Sequence, residues 1–252
     1  MTPNDMGCLT RQREQAMSDP AGILSTMDRI ETRPLRDRDE LDEVLRTGFD
    51  LIRAVDPGLR YRLVGTAAAC LQGVDLPVGD VDILVDRRQD VDAVAEALAD
   101  LPCLTAPQAL ASAPQYFACY GLDGVGFSVS TVEVSCDEDG WECQGPGPWR
   151  HYVTVNCGGH HIECVRLELR LTTEFLRDRP DRYQPLLAHL GAHGADLELL
   201  QQSMTVRQIP EPLARLTRGL QATGKAPENR KRRSVSERTE SSFANRRPHG
   251  EA

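Results

Sequence analysis

Asp80 and Asp82 stand one residue apart at the head of an apolar run, Val81, Ile83, Leu84 and Val85, with a Gly65-Thr66 step upstream. Side chains in a strand alternate faces, so the two carboxylates are expected to project from one side about 6 to 7 Å apart along the backbone. Such a pair can grip Mg²⁺ through one or two oxygens each and leave its other positions to water and substrate phosphates, as in many phosphoryl and nucleotidyl transfer sites. On its own, an acidic pair at a strand start is also ordinary solvated turn chemistry. The setting argues for more: Gly65-Thr66 opens a helix-like Ala67 to Leu71, Gly73 ends it, and a loop with Pro77 and Gly79 leads into the acidic strand.

The elements around this core follow from local patterns. Asp37 with Glu40 three residues on makes a capping-box-like start, and Leu41, Val44, Leu45, Leu51, Ile52 and Val55 recur at mostly helical spacing until Asp56-Pro57-Gly58. Tyr61 to Val64 reads as a strand, Thr66 to Gln72 as a short helix and Val81 to Val85 as a strand. Val91, Val94, Ala95, Leu98 and Leu101 then define an amphipathic helix ending at Pro102. Strands are expected near Gln115 to Tyr120, Gly126 to Ser135, His151 to Asn156 and His160 to Leu169. A Gly- and Pro-rich loop, Gly145 to Pro148, lies among them, and its flanking Trp141 and Trp149 are candidates to stack on a ligand or to cap a core edge. Beyond Thr172 the chain reads as helical, with further helices over Glu198 to Met204 and Glu211 to Leu220.

Composition narrows the function classes. The chain has 252 residues and a net charge of −9, unevenly spread. Eight basic against four acidic residues give Lys225 to Ala252 a net of +4, which leaves the rest at −13. An acidic body repels nucleic-acid backbones and attracts cations, which disfavours tRNA or DNA as substrate and suits a polyamine-like or aminoglycoside-like acceptor. Arg230 to Arg233 form a basic cluster that would touch nucleic acid or lie in a solvated tail. No apolar run is long enough to span a membrane and residues 1 to 27 lack a secretory apolar segment, so the chain reads as cytoplasmic. Residues 1–36 are expected to be a disordered leader, or to precede the true start, with Met17 and Met27 as alternatives. Residues 37–170 form the expected catalytic domain, 171–222 a helical region and 223–252 a disordered basic tail.

Eight cysteines in a chain without export are expected to be reduced. Cys157, His160, His161 and Cys164 crowd together, but without the paired spacing of structural zinc; a β-hairpin turning at Gly158-Gly159 accounts for them.

The stretch Leu63-Val64-Gly65-Thr66-Ala67-Ala68-Ala69, then Gly73, then Asp80-Val81-Asp82-Ile83, resembles the signature of the DNA polymerase beta-like nucleotidyltransferase superfamily, in particular its aminoglycoside and lincosamide branch. The resemblance covers roughly Leu41 to Leu190, with Thr66 in place of the usual Ser or Gly. It implies an α+β nucleotidyltransferase fold: a mixed β-sheet flanked by helices, with C-terminal helices. It further implies that Asp80 and Asp82 hold Mg²⁺, and that Glu133, in Ser130-Thr131-Val132-Glu133, is the third carboxylate, completing the metal site or taking the acceptor proton. Gly65 and Thr66 would hold the triphosphate of an NTP, expected to be ATP. Arg62, Arg87, Arg88 and Arg166 are candidates to neutralise it, His160 and His161 for acid-base work, and Asp181 loosely matches a basic-Asp element of the relatives.

Three functions are consistent with this pattern. One is metal-dependent transfer of a nucleoside monophosphate to a hydroxyl of a small molecule. The second is an antitoxin-like or protein-modifying nucleotidyltransferase with a polypeptide partner. The third is a catalytically inactive nucleotide-binding regulator.

Overall fold

A computed structural model of the protein describes residues 31–111, 113–133, 142 and 150–222. The side chain of Asp37 accepts from the Glu40 N–H and opens helix α1 (Arg38–Val55), which buries Leu41, Val44, Leu45, Phe49 and Ile52 along one stripe. The cap matches the expectation from sequence, but the Glu40 carboxylate turns elsewhere. It accepts from the Arg36 N–H and pairs with the guanidinium groups of Arg33 and Arg36. Asp56 donates the last amide to the Ile52 carbonyl, and Pro57, which has no N–H to give, ends the helix.

Strand β1 (Tyr61–Val64) runs straight into helix α2 (Gly65–Leu71), and β2 (Asp80–Val85) returns beside it before α3 (Arg88–Ala97). Then follow β3 (Cys103–Ala109), β4 (Tyr116–Leu122), β5 (Val125–Ser130), β6 (Tyr152–Cys157) and β7 (His160–Val165). The strands form one sheet in the order β3-β4-β5-β2-β1-β7-β6, which puts β2 at the centre. It lies antiparallel to β1 and parallel to β5, and β1 and β7 are also parallel. This is the mixed, helix-flanked α+β sheet expected from the sequence.

Register decides which face carries the chemistry. Phe127 is the β5 partner of Val81, and its ring lies against Gly48 of α1, where a Cβ would sit 2.6 Å from the Phe127 Cε2. Helix α1 therefore covers the Val81 and Ile83 side. Alternation leaves Asp80, Asp82 and their β5 partners Gly126 and Ser128 on the reverse.

Helices α4 (Leu167–Leu176), α5 (Pro180–His193) and α6 (Leu197–Val206) build a second apolar cluster from Leu171, Phe175, Leu186, Leu190, Leu200 and Met204. Helix α7 (Glu211–Ala214) and a 3₁₀ turn over Arg215–Thr217 are shorter than the helix expected there.

Several boundaries differ from the sequence reading, each for a local reason. Strand β3 has no counterpart in that reading: it is an exposed edge strand with Pro107 inside and an irregular register on β4. The strand expected to reach Leu169 stops at Val165, and the amides of Leu169 and Arg170 turn to the Arg166 carbonyl to start α4. A short apolar run does not by itself distinguish a buried strand from a buried helix. The hairpin turn is as expected, with Gly158 at φ 56° and Gly159 at 85°, the left-handed pair that a two-residue turn requires. Part of the expected leader is tied to the body, since Arg33 N–H bonds the Gly124 carbonyl and Leu35 N–H the Val78 carbonyl. Residues 1–30, Trp141, Trp149 and the tail from residue 223 lie outside the described residues. No helix among the described residues is long and apolar enough to cross a membrane.

Candidate functional site

Asp80 and Asp82 are half-buried at the head of β2, with Val81 between them fully buried on the opposite face. Val64, the last residue of β1, is the register partner of Asp82, so the start of α2 falls beside that carboxylate. Gly65 has φ 74°, a left-handed conformation that suits glycine. A Cβ there would lie 3.1 Å from Asp82 Oδ2, so the missing side chain is what allows the α2 start to approach the carboxylate this closely. On the other side Ser128, directly opposite Asp82, donates its hydroxyl to Asp82 Oδ1. Asp82 is thus held from both flanks. Thr66 is buried in the first turn of α2.

The structure does not bring Glu133 to these aspartates. Strand β5 runs parallel to β2 with Ser128 opposite Asp82 and Ser130 opposite Leu84, so Glu133 lies five residues further on. The ladder with β4 continues through Thr131 and Glu133, whose amides bond the Tyr116 and Pro114 carbonyls, so this stretch is extended. At about 3.3 Å per residue, Glu133 stands roughly 16 Å beyond Ser128 along the strand. There it pairs with Arg88 at 2.6 and 2.7 Å, and that guanidinium holds its pKa below the ordinary carboxylate range. Among the described residues, no three His, Cys, Asp or Glu side chains are grouped to hold a metal, neither the expected acidic trio nor a zinc set at the Cys157–Cys164 hairpin.

A different acid reaches the α2 start. Glu142 is buried, accepts the Gly65 N–H at 3.1 Å, and meets Arg170 Nη1 with both carboxylate oxygens at 3.1 Å. Burial alone would raise its pKa; the Arg170 charge, the Thr173 hydroxyl and the Gly65 amide overcome that and bring it down to about 2. Arg170 also pairs with the fully buried Glu174, which Arg182 approaches at 3.6 Å and Arg177 at 3.9 Å. Neither Glu142 nor Arg170 carries a motif. The only sequence signal for Arg170 is its place four residues before Glu174 on one helix face.

The arginines singled out in the sequence are mostly engaged elsewhere. Arg62 is buried on the sheet and donates to the Glu142 carbonyl, so it touches this cluster. Arg87 caps α3 through Asp90, Arg88 takes Glu133, and Arg166 pairs with Glu168 and Asp196. His160 bonds Asp50 at 2.9 Å beneath α1, and His161 bonds Asn156 within the hairpin. Asp181 pairs with Arg179 at the start of α5. Two cavities lie apart from the aspartates: one of about 140 Å³ beside Arg53, Tyr61 and Glu163, and one of about 540 Å³ beside Leu200, Met204 and Leu220.

No protein-family model matches the chain, and no curated protein matches it. Its fold is similar to several solved structures at low identity. A candidate nucleotidyltransferase from Thermotoga maritima has a TM-score of 0.46 and 19% identity, over 62% of this chain and 95% of that one. A candidate nucleotidyltransferase from H. pylori has a TM-score of 0.38 and 13% identity, over 69% and 80% of the two chains. The Cid1 poly(U) polymerase, solved with MgGTP, has a TM-score of 0.30 and 12% identity, over 62% and 44%.

Proposed function

We propose that the protein is a metal-dependent nucleotidyltransferase. It would move a nucleoside monophosphate from an NTP, expected to be ATP, to a hydroxyl of a small molecule and release pyrophosphate. The observation that supports this most directly is the placement of Asp80 and Asp82 on one face of β2, with Asp82 held between the start of α2 and Ser128. Two carboxylates at this spacing fit one hard divalent cation, whose remaining positions water and substrate phosphates would fill. Asp80 and Asp82 would hold Mg²⁺, which when bound supplies positive charge against the triphosphate and the leaving pyrophosphate. Gly65 and Thr66, at the α2 start beside Asp82, would lie next to the triphosphate. The net of −13 outside the tail supports a cationic acceptor over a nucleic acid.

A second reading, an inactive nucleotide-binding regulator, is favoured by one specific contact. The Gly65 amide is already taken by the Glu142 carboxylate, which Arg170 holds in place. One experiment separates the readings. The protein is incubated with ATP labelled at the α-phosphate, Mg²⁺ and a panel of hydroxylated small molecules and polypeptides, alongside Asp82→Ala. Transfer by the wild type, lost in a folded Asp82→Ala, supports the enzyme; retention of ATP without transfer supports the regulator. Transfer that survives Asp82→Ala removes the site assignment.

A further inference from the structure

We infer that this sheet face takes one divalent cation rather than two, and that Ser128 is the residue that sets the number. The inference rests on Asp80 and Asp82 being cation ligands, and it concerns the positions beside them. Two-metal transfer sites hold their ions about 3.5 to 4 Å apart, so the ligand set must include an acid that can serve the second ion. In a sheet the residues that can do so sit opposite the first pair on the neighbouring strands, about 4.8 Å away.

Here those positions are occupied by other chemistry. On β5, Gly126 lies opposite Asp80 and Ser128 opposite Asp82. On β1, Val64 lies opposite Asp82 and Arg62 opposite Leu84. None is an acid. Ser128 is buried and directs its hydroxyl proton at Asp82 Oδ1, so it orients the aspartate and adds no negative charge. Glu133, the third acid expected from the sequence, and Glu142, which reaches the Gly65 amide, are already matched to cations, Glu133 to Arg88 and Glu142 to Arg170. Two carboxylates offset the charge of one divalent ion. Among the described residues, neither neighbouring strand sets a further acid opposite the pair to balance a second ion, and uncompensated charge at a partly dehydrated site is costly.

The test counts Mn²⁺, a stand-in for Mg²⁺ that can be followed by electron paramagnetic resonance of the free ion. The full chain is titrated as wild type, Ser128→Asp, Ser128→Ala and the double variant Asp80→Ala/Asp82→Ala, with circular dichroism to confirm folding. Site ions are those lost in the double variant. One site ion in the wild type, one in Ser128→Ala and two in Ser128→Asp is the expected result. Two in the wild type would overturn the inference while leaving the aspartates as ligands. A folded Ser128→Asp with a single ion would overturn the role given to position 128. A count of zero in the wild type overturns the ligand assignment itself, and with it the proposal. Should Ser128→Asp fail to fold, the wild-type and Ser128→Ala counts still decide the number.

Discussion

Replacing Gly65 by alanine probes the contact on which the site depends. The substitution adds one methyl group to a residue at φ 74° and puts it 3.1 Å from Asp82 Oδ2. A left-handed conformation costs an L-residue with a Cβ roughly 1–2 kcal/mol relative to glycine. The contact itself is tight and is relieved only if Asp82 moves a few tenths of an ångström. In a domain of this size each kcal/mol shifts the melting temperature by about 2–4 °C, so Gly65→Ala is expected to melt about 2–8 °C lower. Gly159→Ala is the matched control, because Gly159 has φ 85° but nothing within 4 Å of its would-be Cβ. Both variants should lose comparable stability in urea or thermal unfolding followed by circular dichroism. Only Gly65→Ala should also weaken Mn²⁺ binding, because only there does the new methyl press on Asp82, a proposed ligand. If Gly65→Ala bound Mn²⁺ as tightly as Gly159→Ala, the α2 start would not be what positions Asp82. If it were as stable as the wild type, the backbone argument would fail as well.

Three other outcomes follow from the same geometry. Glu133→Ala should leave the Mn²⁺ count and affinity unchanged, since its carboxylate is engaged with Arg88 beyond the far end of β2; a lost ion would put Glu133 back in the site. Glu142 has a folded pKa of about 2, below its ordinary value, so the unfolded chain takes up that proton first. Its contribution to stability is therefore present above about pH 4.5 and lost as pH falls toward 2, a change on the order of 3 kcal/mol. Urea unfolding across that range should show a flatter pH dependence in Glu142→Gln than in the wild type, and parallel curves would refute the assignment. Asp82→Ala should abolish any nucleotidyl transfer while the far-ultraviolet circular dichroism spectrum stays that of the wild type.

Much of the scaffold follows from patterns that act within a few residues. The Asp37 cap and the stop at Pro57 bound α1 because capping and the missing proline amide are local effects. The β6–β7 hairpin turns at Gly158-Gly159 because both residues take positive φ. Less came through where the signal was weak or ambiguous. Strand β3 has a proline and an exposed, irregular pairing, so its alternation is poor, and the Val165–Leu167 junction is apolar on both sides.

For the site itself, the sequence determined that Asp80 and Asp82 share a face, because the two-residue period of a strand allows nothing else, and that a glycine precedes a buried helix beside them. It could not determine the third position. The resemblance offered Glu133, a little beyond β5, as the third acid, but the parallel register of β5 on β2 sets Ser128 against Asp82 and carries Glu133 past the other end. Nor could it show that Glu142 crosses to Arg170 and the Gly65 amide, a contact between residues that are far apart in the chain. Strand register and long-range ion pairing are fixed by how whole elements pack, and that information is shared among many side chains rather than written at the residues that end up in the site.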